Sequence, residues 1–440
     1  MPHQTLNCPS STTQLPLPNP SLNSVRHEIC AETDSIFKAV RMAEKGKRGR
    51  KRSATADDAA ALRLRSVRMI KPLRQLLKQI HLAGTERDRA GNRQFFYDHY
   101  LSLLLLYFVN PSLTSLRSLQ NASNWEKVRK RLGIPRVSLG SLSESVRVFD
   151  PALVRPILKE LAELARPHFH GREAEALANL TAVDGSVFAA LPRMAWALWQ
   201  DAEHRGVKLH LQFHACKGVP GDAALSPAAC SEPAVLKSML EAGRLYVCDR
   251  GYASFELFRS ILDAGSSLIV RVKDDITVHV QEERPISAAA AQAGVVRDVI
   301  LKRLGSSHHK DVVGRPMRLV IVKVVDRDGK SPELWLVTDR LDLDADLVAI
   351  AYRYRWSVEL FFRWLKCVLG AKHLVSHNEN GVALQMYAAL IVSLLIAVRT
   401  GSKPTKRTFE TIQFYLLGWV SEAEFAAHLA QLAKPKKQAR

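Results

Sequence analysis

No glycine-rich Gly-x4-Gly-Lys loop occurs in this chain, so nothing in it points to ATP chemistry. Its six cysteines (Cys8, Cys30, Cys216, Cys230, Cys248 and Cys367) form no Cys-x-x-Cys pair. That spacing excludes a zinc ribbon and suggests reduced thiols in the cytosol instead of a disulfide framework. The first thirty residues lack the basic start and apolar stretch of a signal peptide. Long apolar runs are scarce. The longest, Val382 to Val398, is interrupted by Gln385, Tyr387 and Ser393, and reads as a buried helix of a large core rather than a membrane span. Acidic residues are also short: 43 against 63 Lys and Arg, a net charge of +20. That balance calls for a polyanion, nucleic acid before an anionic membrane.

With 440 residues, 47% of them hydrophobic, the chain can form two or three domains with real cores. Residues 1–60 read as a disordered basic tail, with Pro16, Pro18 and Pro20 among polar residues and a run from Lys45 to Arg52. Residues 61–165 read as helical, with Tyr97 to Val109 as a buried helix that ends before Pro111. Nine Lys or Arg between 63 and 93 face only Glu86 and Asp88. This stretch has the charge of a DNA-binding face, and a solvated helix surface would carry the same charge. From 175 to 275 short β-rich runs dominate, among them Val207–His214 and Ser267–Lys273. An all-β insertion is expected over 276–343, helix returns over 344–400, and residues 401–440 read as a helical basic tail. Ser421 and Glu424 fit a capping box.

The densest chemistry lies in one helical stretch. Tyr352, Arg355, Glu359 and Lys366 stand at offsets 0, 3, 7 and 14. At about 100° per residue they share a face about 60° wide. Val358, Leu360, Phe361, Trp364 and Leu365 fall on the other side. A carboxylate ringed by a phenol, a guanidinium and an ammonium suits a metal ion among phosphates. An ordinary amphipathic helix can look the same. Trp356 and Phe362 flank the polar face and could stack on an unpaired base.

Two further acids follow short apolar strands: Asp184 in Val183-Asp-Gly185 and Asp249 in Cys248-Asp-Arg-Gly251. Each alone could simply cap a turn. Asp184, Asp249 and Glu359 are separated by 65 and 110 residues, so only the fold can bring them together. Three carboxylates that meet repel one another unless cations intervene, and hard oxygen ligands suit Mg²⁺, with Mn²⁺ as an alternative.

The set resembles IS4-type DDE transposases. Tyr352, Arg355, Glu359 and Lys366 reproduce the Tyr-x2-Arg-x3-Glu-x6-Lys signature without a gap. Asp184 stands in Asp-Gly-Ser, Asp249 in Asp-Arg-Gly-Tyr, and a β-rich stretch separates Asp249 from Glu359. The resemblance implies an α/β fold: a ribonuclease H-like core interrupted by a β-rich insertion, with a helical N-terminal domain. It implies cut-and-paste transposition, with Asp184, Asp249 and Glu359 holding the ions and Tyr352, Arg355 and Lys366 positioning DNA. It also implies terminal inverted repeats and target DNA as partners, a homodimer or higher oligomer on DNA, no membrane, and a prokaryotic cytoplasmic, nucleoid-associated location. Trp335 is the candidate to hold a base flipped out in a hairpin step. It stands one position from the expected place, and one residue on a strand reverses the face. Two rivals stay open: a DNA-binding relic that does not cut, and a nuclease that cuts without joining.

Overall fold

In the computed structural model, residues 73–199, 204–305, 313–324 and 332–432 are described. The tail at 1–60 and its basic run lie outside them. The described residues form two compact units, one of residues 167–362 and one of residues 73–166 and 363–432.

The first unit is built on a nine-stranded mixed sheet. In chain order its strands are β1 (Leu180–Ala190), β2 (Arg205–His214), β3 (Val219–Pro227), β4 (Leu245–Cys248), β5 (Ser267–Val272), β6 (Val278–Glu283), β7 (Val295–Leu304), β8 (Met317–Lys323) and β9 (Glu333–Thr338). Their spatial order is β3-β2-β1-β4-β5-β9-β8-β7-β6. β1, β2 and β3 pair antiparallel, whereas β4 lies parallel to both β1 and β5. Buried on both faces, β4 needs an unbroken apolar run, and Leu-Tyr-Val-Cys supplies it.

β3 is invisible to pattern reading. It contains Pro220, Gly221, Asp222 and Pro227, all poor strand formers. Pairing with β2 along nearly its whole length outweighs that local preference.

The expected all-β insertion is neither all-β nor set apart. It carries a short helix, Ala288–Gln292, and its last strand β9 pairs antiparallel with β5. β6 to β9 therefore extend the same sheet. An exposed β5 edge would leave a row of unpaired backbone groups, and β9 covers it.

The two faces carry separate cores. Leu180, Val247, Ile269, Val320 and Leu336 pack with Leu347, Val348, Ala351 and Tyr352 of the helix Ala345–Tyr354. Val183, Cys248, Val270, Ile321 and Val337 pack on the opposite face with Phe258 and Ile261 of the helix Phe255–Asp263. Buried Arg318 ties β8 to β7 by two 2.7 Å bonds to Asp298, and also donates to the carbonyls of Arg340 and Leu343 just before the helix Ala345–Tyr354.

The expected single helix through 352–366 is two: Ala345–Tyr354 and Trp356–Cys367. Arg355 keeps helical angles, but its N–H bonds Tyr352 O at 3.1 Å, and Val358 N–H bonds Arg355 O at 3.2 Å. Both bonds span three residues, so the turn is tightened. The faces shift accordingly. Leu360, assigned to the apolar side, is 54% exposed, while Phe362, assigned to the flank of the polar face, is buried.

The second unit is helical. Tyr97–Val109 forms the expected buried helix, and Asn110 turns extended ahead of Pro111. Glu379–Thr400 is long and apolar enough to cross a membrane, yet 94% of its most apolar stretch is buried within the protein. The region read as a helical basic C-terminal tail is described as far as residue 432 and is helical there. Its helices Lys406–Leu417 and Glu422–Leu432 bury Phe409, Ile412, Tyr415, Phe425 and Leu429. Ser421 Oγ accepts the Glu424 amide at 3.2 Å and Glu424 Oε2 accepts the Ser421 amide at 2.8 Å, the reciprocal cap expected there.

Candidate active site

Asp184 lies inside β1, not after it, directly opposite Leu211 of β2. Side chains alternate along a strand, and Val183 packs with the Phe258 face. Asp184 therefore points to the face of the helices that carry Tyr352 and Glu359. β4 pairs β1 only as far as Ala182, so the carboxylate emerges where the neighbouring strand has ended. There β4 gives way to Asp249, which caps a short turn as its Oδ1 accepts the Gly251 amide at 2.8 Å. Asp184 Oδ1 accepts the Gly185 amide at 2.8 Å.

Glu359 arrives on the second helix, in its first turn. Arg355 Nη1 holds its Oε1 at 2.7 Å. The Arg355 guanidinium also lies 5.2 Å from the Trp356 ring centre and 5.7 Å from that of Tyr352. Burial works against the charge on Arg355, but Tyr352, Glu359 and Asp184 outweigh it and push its pKa up.

The acids act on one another. The Asp184 carboxyl is raised to about 7, first by burial, with Asp249 and Glu359 raising it further. The Gly185 amide and Arg355 pull the other way and do not overcome this. A carboxyl so raised by burial and by like charges is one that a cation would restore to its charged form. The donors are all carboxylate oxygens, which fits Mg²⁺ or Mn²⁺ and not a thiolate-seeking metal.

The structure thus brings Asp184, Asp249, Glu359, Arg355 and Tyr352 into one electrostatic group. Tyr352 and Arg355 are only 5% and 7% exposed. Little of either side chain is open to solvent, and Arg355 spends one guanidinium nitrogen on Glu359. Trp356, 56% exposed, is the aromatic that faces solvent. Lys366 ends the same helix as Glu359 and belongs to the helical unit, where burial lowers its pKa.

Trp335 is not brought to the acids. It stands beside Val272 and Ile321 and packs against the opposite core, across the sheet from Asp184. The one-residue offset noted in the sequence decides this, because it reverses the face.

Two charged residues near these groups escaped pattern reading. Arg271 of β5 follows Val270 of the Phe258 face, so it faces the other way, and with Arg355 it opposes the burial that raises the Tyr352 pKa. A lone Arg inside the apolar run Leu268–Val272 was the available signal. Glu232 opens the helix Glu232–Lys237 and pairs with Lys208 Nζ at 3.1 Å. Nothing local marks it, since Glu beside Pro is common in a first helical turn.

Residues 175–395 match the family model described as "Transposase DDE domain". Over 310 residues the chain is 24% identical to "Probable transposase for insertion sequence element IS5377" of Geobacillus stearothermophilus, an alignment spanning 70% of this chain and 79% of that protein. A cryo-EM structure of the piggyBac transposase synaptic complex with hairpin DNA aligns over 86% of this chain and 83% of that one, at 12% identity and a TM-score of 0.39, too low to bear on the fold. The family match covers half the chain and contains Asp184, Asp249 and Glu359, and on that ground the chain belongs to the DDE transposase family and is a DNA transposase.

Proposed function

We propose that this transposase cuts and joins DNA at the ends of a mobile element of the IS4 type, using Mg²⁺ (or Mn²⁺) held by Asp184, Asp249 and Glu359. The observation that carries the reading is the raised carboxyl of Asp184 among two other acids, Asp249 and Glu359, that lie 65 and 175 residues further along the sequence. Such a group is costly to keep charged in the absence of a cation. A bound divalent ion would supply Lewis acidity and a more acidic water near neutral pH. The strand order β3-β2-β1-β4-β5, with β4 parallel to its neighbours, supports a ribonuclease H-like core.

The chain's own residues divide the remaining work. Arg355 fixes the Glu359 carboxylate through its 2.7 Å bond, so that acid need not be ordered when DNA arrives. Tyr352 and Arg355 position DNA through their charge and dipole beneath the acids. Lys366 serves as a point charge for phosphate, and exposed Trp356 can stack on an unpaired base. Residues 61–165, with their excess of Lys and Arg, would bind the terminal inverted repeats, and a homodimer or higher assembly would hold two ends together. Such work belongs in the cytoplasm, at the nucleoid.

The test uses full-length protein and a DNA fragment carrying the gene's own flanks, comparing wild type with Glu359→Gln, with and without Mg²⁺. Cleavage that needs both supports the reading, and joined products separate a transposase from a nuclease that only cuts. Tight binding with no cleavage in Mg²⁺ or Mn²⁺ would sink it in favour of an inactive DNA-binding relic.

A further inference from the structure

Glu232 has no part in the reading above, yet it lies against both glycines that adjoin the strand-borne acids. A Cβ on Gly185 would stand 2.9 Å from Glu232 Oε1 and 3.1 Å from Lys208 Cδ. A Cβ on Gly251 would stand 3.5 Å from Glu232 Oε2 and 3.1 Å from Asp249 Oδ1. The Glu232 and Asp249 oxygens therefore flank one point and are no farther apart than those two distances laid end to end. Lys208 Nζ, 3.1 Å from Oε1, pins the carboxylate on the Gly185 side. The other oxygen is left toward Gly251 and Asp249. A Cβ at 185 would crowd the Glu232 carboxylate, whereas one at 251 would meet it at ordinary contact distance.

A second observation points the same way. Tyr252 is 1% exposed, and among the described residues its hydroxyl has no hydrogen-bond partner. It closes the turn that Asp249 opens. Burial raises its pKa well above the usual range, and Glu232, Asp184 and Asp249 are the carboxylates that add to this. A buried hydroxyl left unpaired costs about 1–3 kcal/mol. Tyr252 packs with the Phe258 core, and Glu232 is the carboxylate whose charge its hydroxyl feels most, so a group bound beside Glu232 would supply the missing bond. Mg²⁺ sheds its water reluctantly, and its remaining waters need acceptors around them.

We propose that Glu232, pinned by Lys208, is a fourth carboxylate of the ion site on the Asp249 side, and that it and the Tyr252 hydroxyl hold the water carried by the bound ion. The proposal rests on the reading that Asp184, Asp249 and Glu359 hold that ion. Glu232 is on this account a positioning residue, acting through water and not as a direct ligand.

The test measures Mn²⁺ affinity of the full chain from the resonance of free Mn²⁺, in wild type, Asp249→Asn, Glu232→Gln and Tyr252→Phe, with metal-free thermal melts beside it. Expected are loss of the tight Mn²⁺ site in Asp249→Asn and an affinity lowered about tenfold or more in Glu232→Gln, the scale for a residue that holds a metal's ligands. A smaller, several-fold loss is expected in Tyr252→Phe, with its metal-free melting point raised because the variant no longer buries an unpaired hydroxyl. If Asp249→Asn loses the site while the other two variants bind like wild type, the ion site stands and the role of Glu232 falls. If wild type and Asp249→Asn bind Mn²⁺ alike, the ion site itself falls, and this proposal with it. Should Glu232→Gln fail to fold, Tyr252→Phe, which removes one oxygen, decides alone.

Discussion

Arg355 holds Glu359 through a 2.7 Å bond from Nη1 to Oε1, across the junction between two helices. The pair sits four residues apart, the ordinary spacing for neighbours on a helix. Its setting is unusual. Arg355 is nearly buried while Glu359 keeps a third of its side chain open to solvent. The bond thus anchors an accessible carboxylate to the protein interior.

Glu359→Gln keeps the size of the side chain and removes its charge. Mg²⁺-dependent cleavage at the flanking DNA should fall by well over a hundredfold, beyond the roughly 10–100-fold typical of residues one step removed from a metal. Single-turnover cleavage assays measure it. A loss of only a few fold would remove Glu359 from the ion site.

The pH dependence follows from Asp184. Its carboxyl is raised to about 7 in the folded chain, largely by burial, against about 3.9 when unfolded. The folded protein therefore binds a proton that the unfolded chain has lost between those values. The stability this lends is complete below the unfolded value and disappears as pH rises through about 7. A divalent ion bound at Asp184 would compete with that proton. Stabilisation by Mg²⁺ should accordingly grow from about pH 5.5 to about pH 8, read as the melting-temperature difference with and without the ion. A difference that stays flat or shrinks over this range contradicts the assignment of Asp184.

Arg318 and Asp298 are both buried, joined by two 2.7 Å bonds. Asp298→Ala leaves the guanidinium unpaired in the interior and should cost about 3–5 kcal/mol. Replacing both by apolar residues of like volume should cost far less. Urea unfolding of the single and double variants checks this. Equal losses in the two would show that the charge pair is not the source.

Trp335 lies on the sheet face turned from the acids, half-buried against Val272 and Ile321. Trp335→Ala should destabilise the chain by about 1–3 kcal/mol, below the 3–5 of a fully buried Trp. It should leave the first nick at the element's end within about twofold. A variant of normal stability that nicks poorly would return Trp335 to the site.

Much of the site was legible from sequence because its signals are local. Apolar runs marked β4, β5 and most of β2, and the acid after β4 could be placed at once. The helix Tyr97–Val109 declared itself through continuous apolarity and a following proline. Legibility ended where the decisive neighbour is remote. The β2 partner that makes a strand of Val219–Pro227 and the β5 edge that takes up β9 follow from pairing, not from propensity. The tightened turn at Arg355 shifted Leu360 into solvent and Phe362 into the core, which an ideal 100° wheel cannot foresee.

The sequence by itself determined which candidate groups the chain carries: three acids in fixed local contexts, the Tyr352–Lys366 spacing, and a strongly basic chain suited to DNA. Those are properties of residue type and short-range order, and folding cannot alter them. Only the tertiary structure decided which face each side chain takes, that Tyr352 and Arg355 are buried, and that Glu232 and Asp249 both stand beside Gly251. These depend on strand register and on contacts between residues far apart in the chain, where one residue of offset exchanges core for site.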